Sequence, residues 1–299
     1  MPTYREDVQR AWNRHNSIPV HTLEARLGTV EFAVKGDGFP LLVSHGVLGS
    51  HVESVEGWWA DLPGPSYWVV APSRFGYFGS TLPADATPAD QADVYALLLD
   101  HLDIERAAVI GYSAGSASVL EFGLRHPGRV TGLILANCRL GGGVTTSNAM
   151  KPLFRMAYGT DRWLWLLKRF LPSTLDHVMG TAKGYKPSPE VAAAMVRNRE
   201  LLFPLKPRRE GAIFDGYVSN MVADDFAFEE LTVPTLIISA KDDWLAPHPF
   251  AVKTAARIPG AKLVTIEDGG HLFYGHADAV RTEISAFIGS LTTAEAAHF

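Results

Sequence analysis

Residues 111–115 of this 299-residue chain read Gly-Tyr-Ser-Ala-Gly, between an apolar run (Ala107 to Ile110) and a helical pattern (Ser116 to His126). That setting demands a tight strand-to-helix turn with the serine at its apex. A serine hydroxyl held clear of a sheet edge needs a strained backbone at its own position. The residues two before and two after it must then be small, or their side chains would collide. Gly111 and Gly115 meet that demand, and the arrangement is that of a nucleophile elbow. A dinucleotide-binding turn also joins a strand to a helix, but it needs Gly-x-Gly-x-x-Gly, which this loop lacks. No Gly-x-x-x-x-Gly-Lys-Ser/Thr phosphate loop occurs in the chain either.

Around this turn, short apolar strands alternate with helical segments. Leu23 to Val34 alternates in polarity and is followed by Gly36-Asp37-Gly38, which reads as an early hairpin. Leu41 to Val43 is an apolar run ending at His45-Gly46, and Tyr67 to Ala71 is another ending at Pro72. Between them His51 to Leu62 fits a helix carrying two tryptophans. Thr87-Pro88 is a helix start, a cap residue followed by proline at the first helical position. That helix runs through Val94, Leu97, Leu98 and Leu102 to Asp103, and Arg129 to Ala136 is again a strand. The alternation then stops, and residues 141–230 are helical and aromatic-rich with no convincing strand. It resumes with a strand Val233 to Ser239, a helix Phe250 to Arg257, a strand Lys262 to Ile266 and a helix Ala277 to Leu291.

Apolar strands separated by helices predict right-handed βαβ units, hence an α/β fold with a mostly parallel central sheet flanked by helices. Residues 1–140 and 231–299 are the two parts of that core, and 141–230 is a helical insertion between them. At 47% hydrophobic and 20% charged, the chain has the composition of a globular protein with a large core. A net charge of −5 speaks against nucleic acid and anionic membranes, which want a basic footprint. Cys138 is the sole cysteine, so no intrachain disulfide can form, and a small buried residue at a strand end is its expected role. Met1 to Asn16 is too polar for a secretory signal, while Tyr4, Val8 and Trp12 suit a short amphipathic helix packed on the body. No apolar run approaches the ~18 residues of a membrane span, and a cytoplasmic location is expected.

A serine hydroxyl is a weak nucleophile that needs a base within hydrogen-bond reach and a group that orients the base. Both should come from loops at the C-terminal sheet edge where Ser113 stands. The strand Lys262 to Ile266 ends in Glu267-Asp268-Gly269-Gly270-His271, where paired glycines permit a tight loop that returns His271 over the sheet. The strand before it ends in Lys241-Asp242-Asp243, and either aspartate there could fix the imidazole tautomer. Asn137-Cys138-Arg139, after the preceding strand, offers no carboxylate. An oxyanion needs backbone donors already aimed at it. Ala114 can supply one from the helix start, and the loop His45-Gly46-Val47 the other, with the His45 side chain in a structural part.

Taken together, His45-Gly46, Ser73-Arg74-Phe75-Gly76-Tyr77-Phe78-Gly79-Ser80, the elbow around Ser113, Asp243-x-x-x-Pro247 and Gly269-Gly270-His271 resemble the α/β-hydrolase fold family. The order serine, aspartate, histidine is the family's, and the resemblance spans residues 20 to 290. It implies Ser113 as nucleophile, His271 as base and acid, and Asp243, four residues before Pro247, as the orienting acid. It implies the Val47 and Ala114 N–H groups as oxyanion donors and residues 141–230 as a lid. Two positions depart from the pattern: Ser73 stands where many relatives carry aspartate, and Ser116 replaces a frequent glycine. A serine nucleophile argues against the haloalkane dehalogenase and epoxide hydrolase branches. The expected activity is a serine hydrolase that needs no cofactor or metal and cleaves ester-type bonds of small apolar substrates. The alternatives are a carbon–carbon bond hydrolase, a lyase, a perhydrolase, or a receptor with little turnover. Trp163 to Leu171 is apolar on most faces of a helix, so Trp163, Trp165 and Leu167 are expected to line an apolar substrate pocket.

Overall fold

In the computed structural model, which describes residues 3–57, 61–64, 66–138, 140, 147–219 and 226–296, the described strands form one eight-stranded sheet. They are β1 (Val20–Ala25), β2 (Gly28–Lys35), β3 (Phe39–Ser44), β4 (Tyr67–Pro72), β5 (Ala107–Tyr112), β6 (Val130–Ala136), β7 (Thr235–Ala240) and β8 (Lys262–Ile266). Across the sheet the order is β1-β2-β4-β3-β5-β6-β7-β8, antiparallel as far as β2–β4 and parallel from there on. The α/β fold with a mostly parallel sheet is therefore the observed one. The hairpin turn lies at Arg26-Leu27, and Gly36 and Gly38 instead lead from β2 into β3. The β7 ladder begins at Thr235 because Pro234 has no N–H to donate; its carbonyl still accepts from the Leu133 amide (2.9 Å).

The helices are α1 (Tyr4–Ser17), α2 (His51–Glu56), α3 (Pro88–His101), α4 (Ser116–Arg125), α5 (Lys151–Ala157), α6 (Asp161–Phe170), α7 (Pro172–Val178), α8 (Pro189–Leu201), α9 (Arg209–Phe214), α10 (His248–Arg257) and α11 (Ala277–Ala296). The Thr87 hydroxyl and the Asp90 carboxylate cap the start of α3 reciprocally, with Pro88 in its first turn. Helix α2 ends at Glu56; the tryptophans expected on it, Trp58 and Trp59, lie outside the described residues.

Every residue of β5, β6 and β7 is buried, as strands covered on both faces must be. Alternate residues divide between two cores. Leu42, Val109, Leu133, Leu135 and Ile237 pack with Tyr95, Leu98 and Leu99 of α3 and Leu120 and Phe122 of α4. Leu41, Val43, Ile110, Ile134 and Ile238 pack on the opposite face with Val280, Ile284 and Ile288, a stripe at four-residue spacing on α11. Both layers fix the level at which the parallel strands end, and that edge carries the loops considered next.

Between β6 and β7 the described residues form helices and no strand. Their inner end is fastened to the sheet by Arg74, which follows β4 and forks onto Asp215 with Nη1–Oδ1 2.6 Å and Nη2–Oδ2 2.5 Å. Both side chains are fully buried, and removing one partner of such a pair costs about 3–5 kcal/mol. Two backbone bonds reinforce it, Phe78 N–H to Pro207 O (2.8 Å) and Gly211 N–H to Gly76 O (3.0 Å).

Candidate active site

Strand β5 runs straight into Ser113, whose φ of +51° is the left-handed strain expected of a serine at the apex of this turn. The flanking glycines are required by close approach. A Cβ on Gly111 would stand 2.7 Å from Ser116 Cα, and one on Gly115 would stand 2.3 Å from Ser44 O. The Ser116 hydroxyl donates to Gly111 O (2.9 Å), so this departure from the family pattern tightens the turn.

His271 Nε2 lies 2.8 Å from Ser113 Oγ, and His271 Nδ1 lies 2.7 Å from Asp243 Oδ2. The structure thus brings Ser113, His271 and Asp243 into one hydrogen-bonded row. The other oxygen of Asp243 accepts from the Leu245 and Ala246 amides (2.9 and 3.0 Å), which leaves Oδ2 facing the imidazole. Asp242 accepts from the Gly270 amide (2.8 Å) and shapes the loop rather than touching the ring. Both His271 and Asp243 are buried, so neither charge nor hydrogen bond is diluted by water.

Two residues that sequence reasoning passed over hold this loop. Asn137, fully buried with φ +44°, donates to His271 O (2.8 Å) and accepts from the Ala240 amide (3.0 Å). Tyr112 donates its hydroxyl to His271 O (2.7 Å); burial first, and then the Asp243 carboxylate, raises its pKa, so it stays a donor. The signal available in the sequence was a lone amide side chain directly after the apolar end of β6, Leu133 to Ala136. From the helical segment between β6 and β7, Gly180 O accepts from the His271 amide (3.1 Å).

On the other side of Ser113, the loop 45–49 follows β3. The Arg74 amide donates to His45 Nε2 (3.2 Å), so the ring carries its proton on Nδ1 and gives it to Gly46 O (2.8 Å). Burial, aided by Arg74, pushes the His45 pKa well down and keeps the ring neutral, a structural part. Within this loop the Leu48 amide donates to the Tyr77 hydroxyl (3.3 Å) and the Gly49 amide to Gly46 O (3.1 Å). Ala114, the second expected donor, is the middle residue of the helical turn Ser113–Gly115. Ser73 donates to Glu31 Oε1 (2.8 Å), so β2 brings a carboxylate to the loop where the family pattern has aspartate.

The three residues expected to line a pocket are arranged differently. Trp163 is 60% exposed, on the outer face of α6. Trp165 donates its indole N–H to Asp7 Oδ2 (3.0 Å) and meets Tyr4 edge to face, so α1 engages it. Lys168 pairs with the same Asp7 (3.0 Å). Leu167 packs in a cluster with Leu164, Leu175, Phe203, Leu205 and Leu48, which reaches the loop after β3. The physical reason is that α1 supplies both an apolar face and an acceptor for an indole that would otherwise be buried unpaired.

A groove of about 400 Å³ bounded by Arg26, Asp93, Asp100, His126 and Arg129 contains none of the row residues. There Arg129 pairs with Asp100, and both Arg125 and His126 reach Asp93. Burial pushes the Cys138 thiol up to about 12. Iodoacetamide at pH 8 should therefore leave it unmodified in the folded protein, and mass spectrometry of a modified product would refute this.

Comparison with known proteins places these features in context. A family model described as the alpha/beta hydrolase family matches residues 41–283. An uncharacterized hydrolase of Bacillus subtilis is 27% identical over 274 residues, covering 88% of this chain and 95% of the relative. The 2-hydroxymuconate semialdehyde hydrolase of Pseudomonas putida is 26% identical over 244 residues, covering 79% and 82%. Among solved structures, a thermophilic esterase from Thermogutta terrifontis superposes with a TM-score of 0.69 at 22% identity, covering 91% and 99%.

Proposed function

This chain belongs to the alpha/beta hydrolase family, and on that footing we propose that it is a serine hydrolase cleaving carboxylic ester-type bonds of small apolar substrates through an acyl-enzyme on Ser113. The observation that carries the reading is the row Ser113 Oγ–His271 Nε2 (2.8 Å) and His271 Nδ1–Asp243 Oδ2 (2.7 Å). His271 takes the Ser113 proton as Oγ attacks the carbonyl carbon, and the oxygen gathers charge between the Val47 and Ala114 N–H groups. The imidazolium then protonates the leaving alcohol. In the second half His271 deprotonates water, which attacks the acyl carbon and frees the acid and Ser113. Asp243 holds the tautomer with Nδ1–H throughout. These side chains and water complete the cycle, so the reading calls for no cofactor. Residues 141–230 act as a lid over the site in this reading, and the cytoplasm is the proposed location.

A relative from Pseudomonas putida named as a semialdehyde hydrolase supports one second reading, hydrolysis of a carbon–carbon bond by the same row. A fluorophosphonate probe should label Ser113 in the wild type, and His271→Ala should suppress the label. An active preparation that stays unlabelled, or is labelled elsewhere, would overturn the assignment. p-Nitrophenyl esters of two to eight acyl carbons should be hydrolysed. A preparation that ignores them and consumes a vinylogous diketone would establish the second reading instead.

A further inference from the structure

Leu48, next to the proposed oxyanion donor Val47, has φ +58°, a left-handed conformation that a branched side chain rarely adopts. Such a conformation persists only where the surroundings impose it. Both polar groups of the Leu48 backbone are held, and both holds lead to the helical insertion. Its carbonyl accepts from the Arg208 guanidinium, 160 positions away in the chain. Arg208 also bonds to Leu201 O (2.7 Å), Pro204 O (3.0 Å), Glu53 Oε1 (3.0 Å), His15 Nε2 (3.2 Å) and Phe203 O (3.5 Å), which fix the guanidinium plane. The Leu48 amide donates to the Tyr77 hydroxyl (3.3 Å), and that hydroxyl donates to Asp215 Oδ2 (2.5 Å). Asp215 is itself locked by the Arg74 fork. The turn closes with Gly49 N–H on Gly46 O (3.1 Å), so the peptide carrying the Val47 amide sits between two fixed points.

We infer that Tyr77, Arg208 and Asp215 are positioning residues of the oxyanion loop: they hold Leu48 in its left-handed turn and thereby aim the Val47 N–H at the oxygen under attack. The inference rests on Val47 being an oxyanion donor and deepens that reading. It makes the insertion a determinant of transition-state binding as well as of substrate access. The mechanical logic is short. The direction of the Val47 N–H follows the orientation of the Gly46–Val47 peptide, and Leu48 is the anchor on its C-terminal side. With Leu48 released, the peptide is free to rotate, while Ser113, His271 and Asp243 keep their own supports.

Tyr77→Phe removes one oxygen atom and with it both bonds of the relay. Arg208→Lys keeps the charge and loses the fork. Each variant should be assayed on p-nitrophenyl butyrate, beside Ser113→Ala. Each should also be titrated with a trifluoromethyl ketone, which adds to a serine nucleophile to give a tetrahedral oxyanion, and with the matching unreactive amide. The expected result is a fall in kcat of about 10–100-fold, part of what losing a whole donor costs. KM should stay within about threefold, since the interaction is made in the transition state. Ketone affinity should fall in step with kcat, and amide affinity should stay unchanged. Unchanged kcat in a folded Tyr77→Phe or Arg208→Lys protein overturns the inference. So does a kcat loss with undiminished ketone affinity, or a loss carried by KM alone. Failure of the underlying reading is visible separately, as an active Ser113→Ala protein or a wild type that the ketone does not inhibit. If Arg208→Lys does not fold, Tyr77→Phe decides the question by itself.

Discussion

Asp243→Asn should leave the protein folded and lower kcat about 10⁴-fold, the size of effect seen when a triad acid is replaced by its amide. The geometry gives the reason. Asp243 Oδ1 accepts two backbone N–H bonds, from Leu245 and Ala246, so an asparagine would keep its oxygen there. Its NH2 group would then face His271 Nδ1, where Oδ2 now stands at 2.7 Å. Two donors cannot share that contact. The ring would put its proton on Nε2 and face Ser113 Oγ with an N–H instead of a lone pair, so it could not accept the serine proton. Asp242→Asn should cost far less, because its oxygen can still accept from the Gly270 amide. Steady-state kcat for the matched pair, with melting temperatures to confirm folding, checks the ranking; the reverse order would move the acid to Asp242.

Gly180→Ala should have the second-largest effect, about 10²-fold, although residue 180 lies in the helical segment between β6 and β7. Its backbone has φ +96°, and a Cβ there would come 2.2 Å from the Cβ of His271. The obstacle is a short buried stem with no room to swing away. The helical insertion or the His271 loop must move by the order of an ångström, a displacement that costs about 10²-fold in rate when it misaligns reacting groups. Gly184→Ala is the matched control. It has φ +81° with nothing within 4 Å of its Cβ, so it carries the backbone strain without the collision. It should lose about 1 kcal/mol of stability or somewhat more and keep its activity. Equal activity in the two variants would show that Gly180 does not support His271.

What could be read from the chain, and what could not, divides by the range over which the physics acts. The elbow was legible because its demand is local: Gly111 and Gly115 must be small wherever a serine is forced to φ +51° between a strand and a helix. His271 and the Asp242/Asp243 pair were legible because each follows an apolar strand directly, and strand ends share one sheet edge. Choosing Asp243 rested on the spacing to Pro247; in the structure its Oδ2 lies 2.7 Å from His271 Nδ1 while Oδ1 accepts from Leu245 and Ala246. Asp215, Arg208 and Gly180 were invisible, since their meaning lies in contacts with residues more than 90 positions away. Helix α6 shows the same limit from another side. Its apolar surface was evident, but not that Asp7 and Tyr4 would claim Trp165 while Trp163 stayed outside.

The Arg74–Asp215 fork has a consequence for motion. For the insertion to swing away as a rigid flap, the two ions would have to part, and with them the backbone bonds at Phe78 and Gly211. The fork and those backbone bonds would have to break together, so they act jointly against such a motion. The outer helices α5 to α7 are not tied by that fork; α6 rests on α1 through Trp165 and Lys168 at a half-buried surface. Under the proposed lid reading, access to Ser113 runs through local rearrangement of those outer helices. The loop beside Ser113, held at Leu48 by Tyr77 and Arg208, keeps one shape in that reading while those helices move.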